Sequence, residues 1–460
     1  MSVPMMADWY FGSSDWQVFF TCIIITAFFG GAMVLSTAGL TLNISIKQAF
    51  LLTFSSWFVV AAFAALPFYF SSLNLSATDA FFEAMSGITT TGATVIVGLD
   101  HAPAGILFWR GILQWLGGVG IIIMAMSILP FLNVGGMQLF RTELAEREKA
   151  LPRATRLTSS IGMIYLALTM ACAILYMLSG MEVFDAVVHA MTTISTGGFS
   201  TFDSSFMHYD SSLPQLVAVV FMILGGMPFV LYLKAVRGSF RPLFDDPQVR
   251  WFLLIISGVS FVIMVRLIFF RNFDLGHAAV TSLFTVVSTM TGTGFVDTDY
   301  NSWSSFSTSI LLFLMAAGGC VGSTTCGIKI FRFQVLYEVC RVQVKGLLYP
   351  HGVFLPYYNK KPLPPDVPVS VMGFFFVYAL VFSLLCMALS LTGLDFTASF
   401  SGAIACLSNA GPGLGPIIGP LGSYQDVPEM AKVLLAGGML LGRMELFTAL
   451  VMLSPTFWRR

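Results

Sequence analysis

Thr89-Thr90-Thr91-Gly92-Ala93, Ser195-Thr196-Gly197-Gly198-Phe199, Thr291-Gly292-Thr293-Gly294-Phe295 and Ser408-Asn409-Ala410-Gly411-Pro412 are four short, small-residue stretches in an otherwise lipid-soluble chain. Each follows a segment too short to cross a bilayer and precedes one long enough to do so. Irregular backbone is tolerated at membrane depth only where protein buries it or it lines a watery path. Four such pieces in one chain predict a ring of carbonyl oxygens around an ion, and hence a cation pore.

The surrounding sequence has the matching character. Of 460 residues, 57% are hydrophobic and 10% charged, with a mean hydropathy of +0.84. That composition departs from a soluble domain. Apolar stretches of spanning length run over 17–40, 48–72, 104–131, 158–180, 213–236, 251–271, 305–335, 368–393 and 429–453. The segment Phe19–Leu40 has no basic stretch before it and is long for a signal peptide, so it reads as a membrane helix. The first 16 residues carry no Lys or Arg, and the topology derived below puts them outside.

Between four consecutive pairs of spans lie shorter segments that begin near an acidic residue or histidine and end at the glycine stretches. The first, from Asp79 to Gly92, would be roughly 20 Å long as a helix, enough to enter a membrane and not to cross it. Counting back nine residues from Gly92, Gly198, Gly294 and Gly411 gives Glu83, His189, Thr285 and Gly402. The expected architecture is an all-α polytopic membrane protein with four helix–pore loop–helix repeats around a central pore. One extra N-terminal helix occupies 1–46, and the repeats occupy 47–140, 141–236, 237–350 and 351–460. In the third loop both Gly292 and Gly294 are candidates for the ring glycine, because Gly292 interrupts the pattern of threonine or asparagine before it.

Charge orients this arrangement. The loops around Lys47, Arg141–Arg156, Lys234–Arg250, Lys329–Lys361 and Arg459–Arg460 hold eighteen of the 23 basic residues. By the positive-inside rule that face is cytoplasmic, and so is the C-terminus. The opposite face keeps Asp79, Glu83, Asp100, Asp185, Asp203 and further acids, which predicts an acidic outer vestibule that concentrates cations. The net charge of zero implies no basic surface for nucleic acid. Seven cysteines sit mostly in apolar runs with no zinc-site spacing, and read as small core residues.

Glycine at the ring positions gives the backbone angles that let a carbonyl face an axis. Packing of helices through small residues explains many membrane glycines, and is the reading for Gly30-Gly31 and Gly225-Gly226. The run Ala316–Gly327 breaks the seventh span, because so many small residues lower helix propensity. Arg443 sits deep in the last span, where a charge costs at least about 2.5 kcal/mol, so it is functional or paired, with Glu445 as the nearby candidate. Arg266 reads as snorkelling to the outer surface. No paired carboxylates, metal-ligand cluster or nucleophile constellation lies within the spans, which argues against an enzyme, and no P-loop is present.

These features resemble the membrane subunit of the Trk/Ktr/HKT potassium transport superfamily, most closely its TrkH/TrkG branch, over roughly Lys47 to Arg460. The specific stretches are Asp79–Gly87 running into Thr89–Thr94, Gln114-Trp115-Leu116-Gly117-Gly118, Gly197–Thr201, Gly318–Thr324, Asn409–Gly415 and Ser454–Arg459. The resemblance implies filter glycines at Gly92, Gly198, Gly294 and Gly411, with ion-facing carbonyls from Thr90, Thr91, Thr196, Gly197, Gly292, Thr293, Asn409 and Ala410. Glycine at the first position goes with potassium rather than sodium. It implies an intramembrane gating loop containing Gly318, Gly319, Gly322, Ser323, Thr324 and Gly327, with Arg443 close to it.

It further implies potassium as the transported substrate with no organic cofactor, a homodimer, a cytosolic ring of nucleotide-binding regulatory subunits, membrane lipids around the basic loops, and the bacterial cytoplasmic (inner) membrane as location. The branch normally has two helices before its first repeat, where this sequence predicts only Phe19–Leu40. A proton- or sodium-coupled potassium symporter is the alternative to a gated pore, and would need a titratable group in the path such as Glu83 or His189.

Overall fold

The computed structural model describes residues 1–39, 45–127, 152–444 and 446–459. It is almost wholly helical, with one two-residue hairpin pairing Tyr357–Tyr358 with Lys361–Pro362. Among the described residues six helices are long and apolar enough to cross a membrane, or seven if one bent pair is counted as a single span. The six lie within Trp16–Thr37, Ile46–Phe70, Ala104–Ser127, Pro152–Leu178, Pro247–Arg271 and Asp366–Leu391.

Three of the expected spans are not continuous helices. The apolar run at 213–236 is the bent pair, Ser212–Gly226 and Phe229–Val236, turning by 94°. Met227 precedes Pro228, which biases it out of the helical region, and it takes up an extended conformation. The run at 305–335 is broken, as its small residues predict, into Ser305–Ala317 and Ile330–Leu348. The last run divides into Glu429–Arg443 and Leu446–Leu453. At the N-terminus the structure adds a helix, Ser2–Phe11, before the expected one; its 10 residues are too few to span.

Four short helices stand between the long ones: Ala77–Ile88, Val183–Ile194, Leu275–Met290 and Phe396–Leu407. At 12, 12, 16 and 12 residues they reach about three-fifths to four-fifths of the way through the hydrocarbon core of a bilayer. Three begin at a side-chain cap that satisfies an orphan amide: Ser76 accepts from Asp79, Asp274 from Gly276 and Asp395 from Ala398.

Their packing is cyclic. Each short helix contacts the helices before and after it in the chain. Each also contacts a helix from the neighbouring quarter: Ala77–Ile88 touches Glu429–Arg443, Val183–Ile194 touches Ala104–Ser127, Leu275–Met290 touches Ser212–Gly226, and Phe396–Leu407 touches Ser305–Ala317. The sequence of contacts returns to its start. The short helices are consequently buried toward their C-terminal ends, while Phe28, Leu254, Phe261, Phe313 and Phe376 are exposed on the outer helices. Exposed apolar side chains of this kind suit hydrocarbon as solvent.

Candidate ion pathway

All four short helices end in the same way. The backbone turns left-handed at Thr90 (φ 53°), Thr196 (φ 50°), Gly292 (φ 67°) and Asn409 (φ 53°). The next amide then reaches back into the helix: Thr91 to Ser86 (2.9 Å), Gly197 to Thr192 (2.9 Å), Thr293 to Ser288 (2.9 Å) and Ala410 to Ala405 (2.8 Å). This cap satisfies carbonyls that the helix end would leave without partners. Holding a β-branched threonine left-handed is costly, and such strain concentrates at functional sites.

One residue further on the chain is left-handed again, at Gly92, Gly198, Gly294 and Gly411 (φ 84°, 80°, 81° and 85°). The third loop is therefore in register through Gly294, and Gly292 takes the place that Thr90, Thr196 and Asn409 occupy. These glycines also meet one another's loops. A β-carbon on Gly92 would strike the carbonyl oxygen of Gly197, one on Gly198 that of Thr293, one on Gly294 that of Ala410, and one on Gly411 that of Thr91. Loop one meets two, two meets three, three meets four and four meets one. The twelve residues expected at the filter thus come together in one closed ring, at the C-terminal ends of four helices whose dipoles present partial negative charge.

Side chains brace the ring differently from loop to loop. Thr89 and Thr91 share a hydroxyl hydrogen bond of 2.7 Å, and Thr291 and Thr293 share the same contact at 2.7 Å. Asn409 donates to Thr91 Oγ1 and to Met439 O, both at 2.9 Å. Tyr424 donates to Gly411 O at 2.9 Å. In the second loop Gln114 Nε2 donates to Gly197 O at 2.6 Å, and Thr196 donates to Thr324 Oγ1 at 3.1 Å.

Outside the ring lies a cavity of about 70 Å³ lined by Gly92, Gly198, Gly294, Arg110, Asp203 and Tyr424 among others. The acids expected there as free charges are largely engaged. Glu83 is fully buried, bonded to Arg110 Nε at 2.8 Å, to the Thr94 hydroxyl and to the Val95 amide. Asp79 pairs with Lys432 at 2.5 Å, and Asp203 accepts the amides of Gly98 and Leu99. His189 is fully buried, its ring nitrogens against Asp185 O (2.9 Å) and Ser200 Oγ (3.1 Å). Arg110 and Lys432 were legible as charges inside apolar runs, which membrane energetics mark for partners. Arg266 lies between the rings of Phe270 (4.7 Å) and Phe306 (4.9 Å).

On the other side of the ring the chain between Ala317 and Ile330 is non-helical and almost wholly buried. Gly318, Gly322 and Gly327 are left-handed at φ 68°, 79° and 82°. Gly319 O accepts the amide of Ile330 at 3.1 Å, and Ser323 bonds Cys320 O and the Thr325 hydroxyl. The amides of Cys320 and Thr324 donate to Gly226 and Gly225, at 3.1 and 3.2 Å. Gly225-Gly226, expected as helix-packing residues, serve as the shelf on which this segment rests. Arg443 clasps it: Nη1 reaches Thr324 O (3.2 Å) and Cys326 Sγ (2.7 Å), and Nη2 reaches Gly117 O (2.7 Å). Glu445, the sequence's candidate partner for Arg443, lies outside the described residues, as do Arg141, Arg147 and Lys149 of the basic loops.

Fold and site together define a polytopic helical membrane protein whose four short helices end in loops that meet one another in a closed ring. Residues 15–460 match the TrkH family model, described as cation transport protein. The chain is 44% identical to the Trk system potassium uptake protein TrkI of Halomonas elongata, over 93% of this chain and 89% of that one. It is 40% identical to the Trk system potassium uptake protein TrkH of Escherichia coli, over 90% and 86%. The crystal structure of the potassium transporter TrkH from Vibrio parahaemolyticus superposes with a TM-score of 0.92 at 36% identity, covering 99% of this chain and 95% of that one. The chain belongs to the TrkH family of cation transport proteins.

Proposed function

We propose that this chain is the ion-translocating subunit of a potassium uptake system, a gated, channel-like pore and not an enzyme. The observation that carries this reading is the closed ring of four identically capped loops. A potassium ion entering such a ring exchanges water oxygens for carbonyl oxygens of Thr91, Gly197, Thr293 and Ala410 and of the residues before them, with four helix C-termini adding negative potential. Glycine at all four ring positions, and relatives named as potassium uptake proteins, support potassium as the ion.

In this reading residues 318–327 are the gate, held shut against Gly225-Gly226 and by Arg443 on the inner side of the ring. The four pore repeats retain the boundaries stated above. The chain works as a homodimer in the bacterial inner membrane, C-terminus inward, with a cytosolic nucleotide-binding ring as regulator. The hydrogen bonds that occupy both oxygens of Glu83 and both nitrogens of His189 favour a pore over proton coupling through either group.

Flux of potassium and sodium into liposomes holding the purified protein, at imposed voltages and proton gradients, tests this. Potassium is expected to follow its own electrochemical gradient, with no response to the proton gradient beyond voltage. Uphill potassium movement driven by protons or sodium would replace the pore with a symporter.

A further inference from the structure

The second loop lacks what the others carry at the residue before the ring glycine. Loops one and three have Thr91 and Thr293, whose hydroxyls are tied to Thr89 and Thr291, and loop four has Ala410. Loop two has Gly197, so it has no side chain of its own there. The space is filled from another quarter of the molecule: a β-carbon on Gly197 would collide with the amide group of Gln114. Gln114 sits in the helix Ala104–Ser127 and is fully buried. Its Nε2 donates to Gly197 O at 2.6 Å, and its Oε1 accepts the Phe199 amide at 3.0 Å. One side chain thereby straddles the ring glycine Gly198 and pins the carbonyl before it and the amide after it. Among the described residues Thr91, Thr293 and Ala410 have no such side-chain donor on their carbonyls.

We propose that Gln114 is a specificity-determining positioning residue that acts in place of the missing side chain of the second loop. By donating to Gly197 O it fixes the direction of one ring carbonyl and takes up one of that oxygen's two lone pairs. Discrimination between potassium and sodium depends on how many carbonyls face the ion, how strongly they do so and how freely they can move inward. A tethered carbonyl resists the contraction that the smaller ion requires. A buried Gln amide bridging two backbone groups also adds ordinary stability, so stability alone does not test the idea. The inference rests on the filter reading above.

The test is the ratio of sodium to potassium flux in liposomes for Gln114→Met, which keeps length and volume without hydrogen-bonding strongly, with Gln114→Leu as the second variant should the first misfold. Gly92→Ser runs in parallel as a probe of the filter itself. Loss of one tether is expected to raise the sodium share about tenfold while potassium flux persists. If Gly92→Ser shifts the ratio and a folded Gln114 variant does not, Gln114 is a packing residue and the filter reading stands. If Gly92→Ser also leaves the ratio unchanged, the filter reading fails and takes this inference with it.

Discussion

Glu83 and Arg110 show how much one residue's surroundings can change its meaning. In the sequence Glu83 is an acid near a pore mouth, available for ion capture or proton coupling. In the structure its carboxylate lies wholly buried, bonded to Arg110, Thr94 and Val95, while Arg110 also donates to Ser200 O at 2.7 Å and lies over the Phe199 ring at 4.0 Å. The pair joins the first loop to the second behind the ring. Removing one member leaves a buried charge without its partner, which costs about 3–5 kcal/mol, whereas removing both costs far less. Arg110→Gln is therefore expected to lower thermal stability severely, and Arg110→Gln with Glu83→Gln to recover much of it. Additive losses in the double variant, measured by thermal unfolding in detergent, would show that the two do not act as a pair.

At the scale of the element, the segment between Ala317 and Ile330 is neither a helix nor a loop on a surface. Its amides and hydroxyls are met by Gly225, Gly226, Gln248 and one another, and its carbonyls in part by Arg443. Each such bond contributes about 1 kcal/mol, so the position of the segment is stable yet within reach of a modest opposing force. Deleting residues 318–327 is expected to raise potassium flux in liposomes several-fold, since no segment would then cover the inner side of the ring. A folded deletion variant with flux at or below that of the parent chain would remove the gating role. The bent pair at Gly226 and Phe229 supports this segment, because the turn at Met227-Pro228 leaves the carbonyls of Gly225 and Gly226 free to accept its amides.

For the molecule as a whole, orientation is the property that charge alone predicts. Cys340 is exposed on the helix Ile330–Leu348, in the region richest in basic residues, and the other six cysteines are buried or half-buried. A membrane-impermeant thiol reagent is expected to label Cys340 in inside-out vesicles and to leave right-side-out vesicles unlabelled. Labelling from the outside only would invert the topology.

The sequence by itself determined the class, and it singled out the glycines of three of the four loops while leaving Gly292 and Gly294 open in the third. Membrane burial forces long apolar runs for spans, and glycine is the residue that adopts left-handed backbone without a side-chain penalty, so both leave a local signature. The weak interior of the run at 305–335 was legible for the same reason, as a local loss of helix propensity. What only the tertiary structure decided are the relations between quarters of the chain. The register of Gly292 and Gly294 emerged from the shared cap geometry. The pairing of Glu83 with Arg110, the shelf at Gly225-Gly226 and the insertion of Gln114 beside Gly197 join residues from 27 to 99 positions apart. Such contacts follow from how helices close around a common axis, and no local spacing encodes that closure.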